Sequence, residues 1–210
     1  LAGGATVMFS MWQAHLSFIL LGFVLLGSLR GTRRWRPWLL PLLALVSFIP
    51  VNHLPLAAYV RSFTDDLAIT TLVLLGWASL LRLGVVQPVK PVVRMQMLLV
   101  FGLLAAVLYP ATMGLTYVDP YRWGFNPQPM IVCIGLLTLA LVWLRNGLAV
   151  WMLALGTLAF ALRLKASENY WDYLIDPLLV GYCLVAGAML CLKSIWRRLR
   201  RTSAVAASSI

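Results

Sequence analysis

The chain has 210 residues, of which 62% are apolar and 11% charged, and its mean hydropathy is +0.90. Average soluble domains carry about 45–50% apolar and about 25% charged residues, so this composition excludes a water-soluble globule, and its apolar richness excludes a disordered chain. The formal charge of +11 arises from 17 Lys and Arg against six acids, a balance to be set against membrane topology before nucleic acid is invoked.

A crossing helix needs about 20 largely apolar residues, and only helices or closed barrels satisfy their backbone groups in lipid. The apolar runs here are long and continuous rather than alternating, which selects helices. Seven runs follow one another, at 6–29, 38–60, 65–83, 95–113, 128–144, 147–163 and 174–193. The first has no Lys, Arg, Asp or Glu before Arg30 and exceeds the apolar core of a signal peptide, so it reads as a span rather than a cleaved leader. The second contains Pro50, Asn52, His53 and Pro55. It reads either as a kinked crossing helix or as a helix ending near Pro50 with an interfacial segment 51–60 behind it. The fifth and sixth are parted by Arg145-Asn146-Gly147, turn chemistry that makes them a tight helical hairpin.

Seven spans sort the connections into two sets. One holds Arg30, Arg33, Arg34, Arg36, Arg82, Lys90, Arg94, Arg145, Lys193, Arg197, Arg198, Arg200 and Arg201, 13 cations with no acid. The other holds Arg61, Arg122, Arg163 and Lys165 with all six acids, Asp65, Asp66, Asp119, Glu168, Asp172 and Asp176. Cation excess in short loops marks the cytoplasmic side, which places the N-terminus outside, the C-terminus inside and the protein in a bacterial inner membrane. Residues 1–193 form the transmembrane helical domain and 194–210 a basic juxtamembrane tail. The tail would meet anionic lipid at the cytoplasmic face at about 1 kcal/mol per cation, with Trp196 as interfacial anchor and Thr202 to Ile210 as a frayed end. Cys133, Cys183 and Cys191 all lie in apolar runs and read as small core residues rather than a disulfide framework.

Enzyme signatures come up empty: no GxSxG, HExxH, Walker loop, CxxC or strand-borne GxGxxG is present. His15 and His53 are the only histidines, too few for a bis-histidine two-haem carrier or an intramembrane metalloprotease. No Asp, Glu, Lys or Arg sits mid-span as a proton-coupled carrier usually requires. The sequence points to no cofactor, no metal centre and no nucleic-acid partner.

The acidic face carries what chemistry there is, on connections Val51 to Asp66, Thr116 to Pro129 and Lys165 to Pro177. The middle one holds Asp119, Tyr121, Arg122 and Trp123 among turn-forming Pro, Gly and Asn. It reads as an aromatic belt at the head groups or as a recognition loop. The third places Glu168, Asp172 and Asp176 at i, i+4 spacing beside Trp171, one face of a short helix capped by Ser167. Asp176 before Pro177 would then start the seventh span. Clustered carboxylates near cations fit a salt-bridged cap, a binding surface or a catalytic or divalent-ion site, with Arg122 expected as hub because a guanidinium can hold a carboxylate by two bonds. His53 reads as a hydrogen-bonded support for a kink or as a general base, and His15 as structural.

These features describe an all-α polytopic membrane bundle. Its expected role is that of a subunit whose acidic, aromatic extracytoplasmic face docks a partner protein or an envelope-biogenesis enzyme. The binding residues would be Arg61, Asp65, Asp66, Asp119, Tyr121, Arg122, Trp123, Arg163, Glu168, Trp171, Asp172 and Asp176. The alternative is a transferase or hydrolase acting on a lipid-anchored head group, with Arg61, Arg122 and Arg163 on phosphate and Glu168, Asp172 or His53 as base. A lipid or small-molecule carrier stands third.

Overall fold

The computed structural model describes residues 11–29, 31, 34–115 and 117–207, and their side chains except those of 194, 195 and 197–207. The start of the first run before Met11, Arg30, Arg33, Thr116, the side chains of Arg197, Arg198, Arg200 and Arg201, and the last three residues lie outside the described residues. Among the described residues the chain is all-α apart from one small hairpin.

Helix α1 (Trp12–Leu26) packs on α2 (Arg36–Ser47). The run 38–60 is therefore not one helix. Pro50 and Pro55 each lack an N–H, which a helix interior cannot tolerate cheaply. The segment instead folds back as β1 (Pro50–Val51) against β2 (Leu54–Pro55), with Val51 opposite Leu54. Asn52 and His53 form the two-residue turn at φ of 46° and 67°, the left-handed pair that a tight hairpin needs and that Asn supplies readily. Helix α3 (Leu56–Thr64) follows, and after a bend of 120° the chain enters α4 (Ile69–Leu83). Gly84 ends α4 at φ 78°. Val85 N donates to Leu80 O and Gly84 N to Leu81 O, a left-handed helix stop that glycine makes without steric cost.

Helix α5 (Pro91–Thr112) has mean hydropathy 2.0 over its apolar window and is the one helix among the described residues long and apolar enough to cross a membrane by itself. A 3-10 turn at Pro120–Gly124 leads to α6 (Pro127–Trp143) and α7 (Gly147–Ala161). The turn between α6 and α7 is fixed by Asn146. This fully buried side chain accepts from Ala149 N as helix cap and donates to Val93 O and Gln96 Oε1 at the start of α5. Helix α8 is a single turn, Trp171–Leu174, and α9 runs from Pro177 to Ala207. It continues through the basic tail, where a frayed end was expected from Thr202 onward, because Arg, Leu, Lys and Ala all favour helix.

The main core joins α5, α6, α7, α8 and α9 around Phe101, Met152, Leu153, Leu174 and Leu179. A second cluster, with Leu67, Leu72, Leu75, Ala159 and Tyr173, ties α4 and α7 to α1. At one end Arg36 Nη1 donates to Arg82 O. At the other end the three connections that carry the acids meet, and the candidate site lies there.

Candidate functional site

The segment 163–177 is the keystone of the acidic end. Glu168, Asp172 and Asp176 do not share a helix face, because the backbone is helical only over Trp171–Leu174. Asn169 stops a longer helix: its Oδ1 accepts from Trp171 N and its Nδ2 donates to Tyr121 O, side-chain bonds that compete with the helical ladder. Ser167 Oγ accepts from Asn169 N and donates to Asp172 Oδ2, so it organises the turn rather than capping the helix. Tyr170, Trp171 and Tyr173 are buried and plug the bundle. The Tyr170 hydroxyl meets Thr157 Oγ1 at 2.6 Å. Burial pushes its phenol above the usual range, and the Thr157 bond works the other way.

Lys165 is the cation at the centre. Its Nζ donates to Asp66 O at 2.7 Å, Asp172 O at 2.8 Å and Leu67 O at 3.3 Å. An ammonium has three donors, so all are occupied by backbone carbonyls. Burial lowers the Lys165 pKa, while the neighbouring carboxylates Asp172, Asp66, Asp176 and Asp65 act in the raising direction. Hydrogen bonds to charged groups contribute about 1.5–3 kcal/mol each, and here they lock the 165–172 segment to the entry of α4.

Asp176 performs a second junction. Its Oδ2 accepts from Ala68 N and its Oδ1 from Leu179 N, both at 2.8 Å. One buried carboxylate thus sits at the N-termini of α4 and α9 together, where both helix dipoles favour negative charge. Asp176 and Pro177 open the last helix, as the sequence suggested. Asp65 and Asp66, by contrast, do not cap α4; Asp66 pairs with Arg61 at 2.7 Å.

Arg122 is not the hub. It is exposed and makes no ion pair or side-chain hydrogen bond among the described residues. The reason is local. Asp119 Oδ1 accepts from Tyr121 N, and the 3-10 turn carries Tyr121 inward, where its hydroxyl reaches Asp172 at 3.2 Å. Arg122 and Trp123 then fall on the outer side. Burial raises the Tyr121 pKa, and the adjacent Asp172 charge and hydrogen bond raise it further.

A cavity of about 540 Å³ opens among these elements, walled by Asp65, Asp66, Tyr109, Tyr121, Asp172 and Asp176. Sequence reasoning singled out five of those six. Tyr109, on α5, was hidden in an apolar run. Arg122, Trp123, Arg163, Glu168, His53 and Asp119 do not line the cavity. His53 is exposed in the hairpin turn, and His15 bonds Ser47 Oγ and stacks on Phe48. Among the described residues no group of three His, Cys, Asp or Glu is placed to hold a metal ion.

The loop 117–125 has a backbone held from below and turns Arg122, Trp123 and Phe125 outward, the last with its ring edge-on to Tyr121 at 5.7 Å. Trp171 Nε1 donates to Pro120 O at 2.8 Å, Asn169 Nδ2 to Tyr121 O at 3.0 Å and Tyr170 N to Gly124 O at 3.0 Å. Gly124 is pressed against the keystone so closely that a Cβ would fall on Asn169 Oδ1 and lie 2.6 Å from its Cγ. Outside this clamp, Trp123 is 52% and Phe125 60% exposed. Compared with family models, characterised proteins and solved structures, the chain shows no match.

Proposed function

We propose that the protein is a small polytopic membrane subunit that docks a partner protein through its acidic, aromatic extracytoplasmic end. In this reading α1, α2, α4, α5, α6, α7 and α9 are the seven crossings, and the hairpin, α3 and α8 are non-spanning. The outward helix faces support it: Leu45, Leu99, Leu103, Leu136, Leu139 and Leu184 are all exposed, an apolar surface that water would penalise and lipid would not. Several of these helices have 12 to 17 residues, so the surrounding bilayer thins locally to meet them. The partition of cations and acids between the two ends gives the orientation, with the setting a bacterial inner membrane.

The observation that carries the docking role is the loop 117–125. Trp, Tyr and Arg dominate the energetics of protein interfaces, and a rigid backbone removes the ordering cost of binding. Here Trp123, Phe125 and Arg122 are displayed on a backbone bound at three points to the buried keystone. A lipid-facing aromatic belt needs no such clamp. The head-group transferase or hydrolase reading has less support: of its candidate bases Glu168, Asp172 and His53 only Asp172 lines the cavity, and of its phosphate holders Arg122 and Arg163 stand apart from it while Arg61 is paired with Asp66.

The test is purification from native membranes in mild detergent. Wild type should retain one partner in fixed stoichiometry. A variant with Arg122→Ala, Trp123→Ala and Phe125→Ala should lose it at unchanged melting temperature, and Trp151→Ala, exposed on α7, should keep it. A partner held equally by the triple variant, or none in wild type, contradicts the proposal.

A further inference from the structure

The end of the bundle opposite the acidic cavity gathers cations without acids. The connections there carry 13 Lys and Arg and no Asp or Glu, and two of the arginines meet. Arg36 opens α2, and Arg82 lies in the last turn of α4. Arg36 Nη1 donates to Arg82 O at 3.2 Å, and the two guanidinium charges are close enough to repel. The stem of Arg82 lies over the end of α1, where a Cβ on Gly27 would stand 3.6 Å from Arg82 Cδ. The ends of three mutually packed helices thus meet around one pair of like charges.

Little of the bonding capacity of this pair is used. A guanidinium has five N–H donors. Among the described residues the one side-chain bond from either arginine is that of Arg36 to Arg82 O, and neither pairs with a carboxylate. The acidic end is about 20 Å away along α4 at about 1.5 Å per residue. Both side chains are half-buried, so solvent screens the repulsion only in part. The first turn of α2 has no side-chain cap, and its dipole adds positive potential. Arg36 Nε and Arg82 Nη1 are closed to solvent without an acceptor. Among the described residues, Nε and Nη2 of Arg82 and Nη2 of Arg36 remain for a ligand.

We propose that Arg36 and Arg82 together hold a phosphate group. Two of its oxygens accept from Nε and Nη2 of Arg82, the fork geometry in which a guanidinium meets phosphate, and a third accepts from Arg36 Nη2. The paired positive charges favour a group of net negative charge over a zwitterionic one. Trp35 and Trp38 flank Arg36 and are exposed, the placement of indole rings at the head-group level of a bilayer. In the spanning reading the phosphate therefore belongs to an anionic lipid of the cytoplasmic leaflet; its other source is a free phosphate compound. The arginine geometry is independent of the docking loop, and only the lipid source rests on the spanning reading.

The experiment is thermal unfolding of the detergent-purified chain with phosphatidylglycerol, with phosphatidylcholine of matched chains, and with inorganic phosphate against chloride at equal ionic strength. Phosphatidylglycerol or inorganic phosphate should raise the wild-type melting temperature by several degrees over its control. Arg82→Gln should abolish that shift without lowering the ligand-free melting temperature, because Arg36 bonds the backbone carbonyl of residue 82 and keeps that contact. Arg82→Lys keeps the charge but loses the fork and should retain less than half of the shift. Arg145→Gln removes an exposed cation from the α6–α7 turn and should retain all of it. In native mass spectrometry, wild type should hold phosphatidylglycerol at least tenfold over phosphatidylcholine if the source is a lipid. Phosphatidylglycerol acting alone assigns the lipid, and inorganic phosphate acting as well, or alone, extends the site to free phosphate compounds. No shift with either, a full shift in Arg82→Gln, or a shift lost equally in Arg145→Gln overturns the site. Release of the chain by an alkaline carbonate wash of membranes refutes the spanning reading and the lipid source, and the inorganic phosphate arm then decides the arginine site by itself.

Discussion

Replacing Asp176 tests the junction on which the acidic end is built. The carboxylate is 7% exposed and accepts from Ala68 N and Leu179 N, each at 2.8 Å. Asp176→Ala removes two hydrogen bonds to an ionised group, worth about 1.5–3 kcal/mol apiece, and leaves two buried N–H groups unpaired. It also removes the negative charge from two helix N-termini, at about 0.3–1 kcal/mol each. Partial solvation of the freed amides offsets some of this, so the expected loss is about 3–5 kcal/mol. That corresponds to a fall in Tm on the order of 10 °C for a chain of this size. Asp176→Asn keeps the shape but offers one carbonyl oxygen for two donors, and should lose about half as much. Thermal unfolding in detergent, followed by tryptophan fluorescence, reads the order wild type, Asn, Ala. Glu168→Gln is the control, because Glu168 is exposed and its substitution should leave the melting curve in place. An Asp176→Asn protein as stable as wild type would refute the bridging role.

Gly124→Ala should cost at least about 2 kcal/mol, since the new methyl displaces Asn169 and its two hydrogen bonds. Gly135→Ala, in α6 where a Cβ meets nothing within 4 Å, should be neutral or stabilising by about 0.5–1 kcal/mol. Tyr121 and Tyr170 have phenol pKa values raised above 10.0. The unfolded chain therefore releases those protons first as pH climbs past 10, and stability should fall there. An ultraviolet titration in which both phenols ionise at or below pH 10.0 would contradict this. In a background without native cysteines, Asn126→Cys should react with a membrane-impermeant thiol reagent from outside and Ser203→Cys should not; the reverse pattern would overturn the orientation.

Much of this architecture was legible because local chemistry and tertiary packing agree. Arg145-Asn146-Gly147 makes the turn that the residues suggest, with Arg145 at φ 56° and Asn146 as cap. Asp176-Pro177 starts a helix, and so do Pro91 and Pro127, for the same reason. For 38–60 the two prolines made a helix ending near Pro50 one of the two readings, and that break is found, but not the hairpin made through the left-handed pair Asn52 and His53. Another feature was hidden: the i, i+4 acids 168, 172 and 176 satisfy a helical spacing, but Asn169 bonds the backbone first and leaves only one turn. The hub passed from Arg122 to Lys165 because three carbonyls converge from the 66–67 and 172 segments. No spacing in the sequence announces a convergence of backbone groups. Asn169, Tyr170 and Gly124 proved to hold the exposed loop in place, a role visible only once the two connections are seen in contact.

The central claim, that the clamped loop meets a partner protein outside the membrane, is tested most directly by a photo-crosslinking amino acid placed at position 123 in intact membranes. The account predicts one discrete protein adduct from position 123, absent in the Gly124→Ala background and absent when the same probe replaces Trp151. Labelling of lipid alone from both positions would contradict it.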